Sequence, residues 1–158
     1  MYMKRILLIV VLAVIPRLLH AQTDKADSAA VAKTLRELLS ICKNVDFADP
    51  KTTDLGTFYK AAPYIVYRGD DATRKWKDFT DYSKEDEKKQ VNEICYRING
   101  SVNQDDHYEF VQYVTQTESE GKWCAIIVSF TKKGKQQKLL FAFLKIKGRF
   151  ALGDIDRA

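Results

Sequence analysis

The last third of the chain leaves it few folds to choose from. From Tyr108 to Asp156, apolar runs rich in Val, Ile, Phe and Tyr are cut by three short joints: Glu118-Ser119-Glu120-Gly121, Lys132-Lys133-Gly134-Lys135 and Lys147-Gly148. Gly-containing joints this short return successive strands antiparallel. Residues 108–117, 123–131, 138–146 and 149–156 are therefore predicted to form a four-stranded meander. Side chains alternate across a strand, so Cys124, Ile126, Val128 and Phe130 share one face, and Trp123, Ala125, Ile127 and Ser129 the other. In the third strand Leu139, Phe141, Phe143 and Lys145 oppose Leu140, Ala142, Leu144 and Ile146. Both faces are apolar at mid-strand, so both need cover: helices on one, and a partner, loop or ligand over part of the other. Strands of about nine residues span roughly 30 Å and at that length twist and curl.

The 158 residues suit one domain, once the start is set aside. Lys4 and Arg5 precede an apolar run over 6–15, Pro16 and Arg17 end it, and Leu19-His20-Ala21 offers a small-residue cleavage site before Gln22. The run is too short to span a membrane and has the form of a Sec-type signal peptide over residues 1–21. The expected product is periplasmic or secreted, with 22–27 a flexible N-terminus, 28–158 a single domain and no membrane span. Losing Lys4, Arg5 and Arg17 takes the formal net charge from +5 to +2, which removes the case for a nucleic-acid partner. Cys42, Cys95 and Cys124 match no metal spacing. Export permits a disulfide, and three pairings are open alongside three buried thiols.

Upstream of the meander, Asp27 or Ser28 can cap a helix whose stripe is Val31, Leu35, Leu38 and Cys42. Residues 54–62 suit a short helix stopped by Pro63, followed by a short strand, Tyr64-Ile65-Val66-Tyr67, and a turn, Arg68-Gly69-Asp70-Asp71. Ser83 and Asp86 resemble a capping box for a helix over 85–99 with Val91, Ile94, Cys95 and Ile98 as its stripe. Asn99-Gly100 reads as its stop.

This order, with the close Phe141-Ala142-Phe143-Leu144-Lys145-Ile146-Lys147-Gly148-Arg149-Phe150-Ala151-Leu152-Gly153-Asp154-Ile155, resembles the nuclear transport factor 2-like, or cystatin-like, superfamily that includes ketosteroid isomerases, and in particular its small exported bacterial members. The resemblance implies an α+β fold in which N-terminal helices pack on a curved, cone-like antiparallel four-stranded meander with one extra short strand. In such cones an apolar pocket can remain. The fold hosts binding, scaffold and enzymatic roles alike.

Compact catalytic signatures are lacking: there is no Gly-x-Ser-x-Gly, phosphate loop or dinucleotide fingerprint, and nothing points to a cofactor. His107, beside Asp105 and Asp106, is the one His after the leader. It could serve as a base but falls short of a metal set. The expectation is an exported, non-catalytic binding module for a small apolar ligand or a peptide. The alternative is a protein-facing inhibitor, immunity or envelope-complex protein, and a small isomerase or hydrolase comes third. Partners would be that ligand or a protein on an exposed sheet face, and a homodimer is compatible with either. Binding residues concentrate in connections on a rigid scaffold, so Tyr64, Tyr67, Trp76 and His107 are the candidate ligand-binding residues, expected around one opening.

Overall fold

The computed structural model describes residues 25–42, 55–67, 78–102, 107–118 and 121–158. The stretch over 1–21 read as a signal peptide, Trp76, Asp105 and Asp106, and the predicted turn at Arg68-Gly69-Asp70-Asp71 lie outside them. In chain order the elements are helix α1 (residues 25–42), a 3-10 helix (Leu55–Tyr64), helix α2 (Glu85–Val102) and strands β1 (Tyr108–Glu118), β2 (Gly121–Lys132), β3 (Lys135–Ile146) and β4 (Arg149–Arg157). The fold is α+β, with helices against an antiparallel meander in the order β1-β2-β3-β4. Among the described residues no helix is long and apolar enough to cross a membrane.

The turns set the register. Lys132 pairs with Lys135, and Ile146 with Arg149. The residues between them all lie in the left-handed region: Lys133 and Gly134 at φ 51° and 73°, Lys147 and Gly148 at 49° and 79°. Positive φ at both centres marks the type I′ turn, whose twist matches that of the strands it joins. The ladder therefore runs right up to each turn. This is why β3 begins at Lys135, three residues before the apolar alternation does.

One sheet face is buried under the helices. Cys124, Ile126, Val128 and Phe130 of β2, Leu139, Phe141 and Phe143 of β3, and Phe150, Leu152 and Ile155 of β4 meet Val31, Leu35, Leu38 and Cys42 of α1 and Val91, Ile94, Cys95 and Ile98 of α2. Phe58, Phe141 and Phe143 are wholly buried there. On the opposite face Val66, Leu144, Ile146 and Ala151 form a smaller cluster with Phe79 and Trp123 against it. Trp123 reaches across to β4, where Gly153 is left out of register between Leu152 and Asp154. A Cβ on Gly153 would stand 2.6 Å from the indole, so a side chain there is excluded by the tryptophan.

The two edges of the sheet differ. Beside β4, Ile65 bridges Leu152 in parallel and Val66 bridges Phe79 antiparallel. Val66 N–H donates to Leu152 O at 2.9 Å, and Thr80 N–H to Ile65 O at 3.0 Å. That edge is covered, and the expected short strand is real though only two bridges long. β1 has β2 as its one strand neighbour among the described residues.

Four local expectations change. The 3-10 helix runs through Pro63: proline has no N–H to offer, but Ile65 N–H closes the turn onto Ala62 O at 3.2 Å. Helix α2 continues past Asn99-Gly100 to Val102, because Val102 lies one turn beyond Ile98 and is buried with it. Its start is held by Glu87, whose Oε2 accepts the Asp81 N–H at 2.5 Å, while the Ser83 hydroxyl donates to Asp81 Oδ1. Finally, α1 is already helical at residue 25, so Asp27 lies within the helix and does not cap it.

Candidate functional site

The register separates the predicted site residues. Tyr108 pairs with Phe130, which pairs with Gln137. His107 therefore sits at the β2–β3 turn end of the sheet, exposed, in a cleft of about 390 Å3 with Glu109, Ser129, Thr131 and Gln136. Tyr64 lies at the β3–β4 turn end, in a cleft of about 400 Å3 between α1, the 3-10 helix and Gly148 and Arg149. Strands of this length hold those ends roughly 30 Å apart, and the two clefts share no residue. Tyr67 is buried beyond Val66, its N–H donating to Asp78 O at 2.8 Å. Trp76 lies outside the described residues. The four do not surround one opening, because a meander of long strands puts the connections before its first strand and after its third at opposite ends.

The Tyr64 cleft has mixed polarity. Its lining includes Lys33, Thr34 and Glu37 of α1, Tyr64, Arg149 and Phe150. The neighbouring Glu37 carboxylate, with burial, raises the Tyr64 phenol above its ordinary value against the opposing charge of Arg149. The Arg149 guanidinium stacks over the Phe79 ring at 4.3 Å. This is an open, charged surface cleft.

A third cleft, about 220 Å3, runs between α1 and β1. Ser28 and Ala32 form its helix wall, and Phe110, Val111, Gln112, Tyr113 and Ile126 its sheet wall. The register of β1 slips between Phe110 and Gln112, so Val111 is a bulge residue. Phe110, Val111 and Val114 are 38, 50 and 45% exposed, and Arg36 lies over the Phe110 ring at 5.4 Å. Bulges, prolines and lysines are the usual protection of an exposed edge. β1 has the bulge, but no proline and no basic residue in eleven positions.

Two acids are buried among the described residues, Glu87 at the start of α2 and Asp27 of α1, and Asp27 is the one that faces the sheet. Lys122 Nζ donates to its Oδ2 at 2.8 Å and Lys145 Nζ to its Oδ1 at 2.9 Å. Burial pushes this carboxyl upward, but the hydrogen bonds and charges of the two lysines outweigh it and hold the group below the ordinary 3.8. With both oxygens engaged by cations, Asp27 fastens α1 to the sheet and is poorly placed as a base. The sequence offers it, as an alternative to Ser28, for a helix cap. The available signal was Lys145, in phase with Phe141 and Phe143 on the buried face, where a charge needs a counter-ion. The Cys124 thiol, buried nearby, is pushed up by desolvation, against the Tyr113 hydroxyl that donates to its Sγ at 3.2 Å. Among the described residues no three His, Cys, Asp or Glu side chains gather as a metal site.

Comparison with known proteins adds no relative: no family model matches the chain, and neither a curated protein nor a solved structure matches it significantly.

Proposed function

We propose that this protein is an exported, non-catalytic binding module, that its cone belongs to the nuclear transport factor 2-like type, and that its ligand is an extended peptide segment taken along β1. The observation that carries the reading is the asymmetry of the sheet. The β4 edge is covered by Ile65 and Val66, whereas β1 keeps an open side among the described residues, with apolar Phe110, Val111 and Val114 standing out from it. An extended segment can hydrogen-bond to such an edge while pockets beside it select alternate side chains. The cleft under Ser28 and Ala32 is such a pocket. The clefts described above are open surface clefts, and Phe141, Phe143 and Phe58 are wholly buried in the core, which favours a peptide on the edge over a small apolar ligand inside.

The test is selection of linear peptides from a display library against residues 22–158, followed by amide hydrogen exchange. The expected result is enriched peptides that slow exchange in β1, with binding lost in Val114→Lys. Failure to enrich any peptide, or protection confined to the Tyr64 cleft, would overturn the reading.

A protein-facing role has one observation of its own. On the face away from the helices, Trp123, Ala125, Ile127, Leu140 and Ala142 are only partly buried, leaving an apolar surface suited to a folded partner.

A further inference from the structure

On the peptide reading of β1, on which this rests, we infer that the segment taken carries a branched aliphatic residue and, five positions away on the opposite face, a lysine or arginine. The spacing comes from the register. From Gln112 to Glu118 the pairing of β1 with β2 runs without a slip, and the bulge at Val111 ends the regular stretch. Among the described residues no strand lies on the other side of β1, so this straight edge can receive a visiting strand. Residues directly opposite on neighbouring strands lie on the same face of a sheet. Whatever the direction of the visitor, its side chains follow those of β1. Tyr113 shares the helix-side face with its partner Ile126, and Glu118, five residues on, lies on the other.

On the helix side, α1 runs beside β1. Ser28 and Ala32, one turn apart, form the helix wall of the cleft, and Arg36, a further turn along, lies over Phe110. Both wall side chains are small. Tyr113 and Ile126 belong to the sheet wall, and the Tyr113 hydroxyl holds its ring in place by donating to Cys124 Sγ at 3.2 Å. At about 220 Å3 this is the smallest of the three clefts described, and no charged side chain lines it. A residue of the visitor opposite Tyr113 is received there. A small uncharged notch suits one aliphatic side chain better than an aromatic or charged one.

The other face has different chemistry. Gln112, Val114, Gln116 and Glu118 share it, and all four are exposed. Gln116 Nε2 donates to Glu118 Oε1 at 2.9 Å, which keeps that carboxylate on this side. Glu118 is the sole charged residue of the regular stretch, and β1 as a whole has acids at Glu109 and Glu118 and no base. A cation opposite Glu118 completes an opposite-charge cross-strand pair, and an acid there meets repulsion.

The probe is a displayed library of random nonapeptides, selected in parallel on the wild-type protein, Glu118→Lys and Ala32→Leu, with amide exchange in β1 followed for an enriched peptide on each. Wild type is expected to enrich Val, Ile or Leu at one position and Lys or Arg five away. Glu118→Lys should exchange the basic position for Asp or Glu and weaken a peptide selected on wild type about fivefold, with the aliphatic position unchanged. Ala32→Leu fills the notch and should shrink the anchor to Gly, Ala or Ser. Glu118 is exposed, so its replacement tests the spacing whether or not Ala32→Leu folds. Peptides that protect β1 without this spacing, or a consensus indifferent to Glu118→Lys, would overturn the inference and leave the peptide reading standing. No enrichment, or protection only outside β1, would overturn both.

Discussion

Removing the charge of Asp27 tests the argument that this acid is a fastener. On β2 and β3, Trp123 pairs with Leu144, so one step along the ladder Lys122 faces Lys145. Two like charges directly opposite are unfavourable, and Asp27 is what lets them share the buried face. Breaking a buried pair from one side costs about 3–5 kcal/mol. Here the lysines keep 28 and 35% exposure and can swing their heads into water, which lowers the expected cost of Asp27→Asn to roughly 2–3 kcal/mol. In urea unfolding this is a midpoint shift of about 1 M. The sign with pH follows from the lowered folded-state value. The native state holds its carboxylate more tightly than the unfolded chain, so the contribution is present above 3.8 and is lost as pH falls below it. The gap between wild type and Asp27→Asn should therefore narrow on acidification. Replacing all three partners by apolar residues, Asp27→Leu with Lys122→Met and Lys145→Met, should recover most of the loss. Equal stability of wild type and Asp27→Asn at pH 7, or a gap that persists unchanged well below pH 3.8, would refute the clamp.

Gly153→Ala places a methyl against the Trp123 indole and should cost about 1–3 kcal/mol, with a change in tryptophan fluorescence; unchanged melting would show that the ring gives way freely. Phe143→Ala opens a hole in the core and should cost about 3–5 kcal/mol by chemical denaturation. Lys133→Asn gives the first I′ turn its preferred Asn-Gly pair and should stabilise by up to about 1 kcal/mol; a loss of that size would contradict the turn assignment. Protein recovered from its native host should begin near Gln22 by N-terminal sequencing, and one retaining the residues over 1–8 would refute the reading of that stretch as a leader.

The meander was legible because two independent signals agreed on it. Alternation in 123–131 and 138–146 assigned the faces, and Lys-Gly pairs marked the turns. Those faces are the ones observed, with Phe141 and Phe143 buried under the helices. Alternation could not reveal where pairing outlasts apolarity, as at Lys135-Gln136-Gln137, nor the bulges at Val111 and Gly153, which depend on what lies across the sheet. Asp27 looked like a cap because its partners are remote in sequence and a cap needs only local chain. The grouping of Tyr64 with His107 failed for a related reason: residue type marks a candidate, but strand length and register decide which candidates can meet.

The meander pairs each strand with the next one made, so its hairpins can zip as soon as both arms exist, whereas α1 depends on partners 95 and 118 residues downstream. At synthesis rates of roughly 5–20 residues per second, α1 waits on the order of 10 s for Lys122 and Lys145. Throughout that delay Val31, Leu35, Leu38 and Cys42 have no sheet to lie on. The first of the described helices to be made thus waits longest for its sheet partners, and the nascent protein passes through a stage in which a greasy helix must be kept from other chains by whatever receives it.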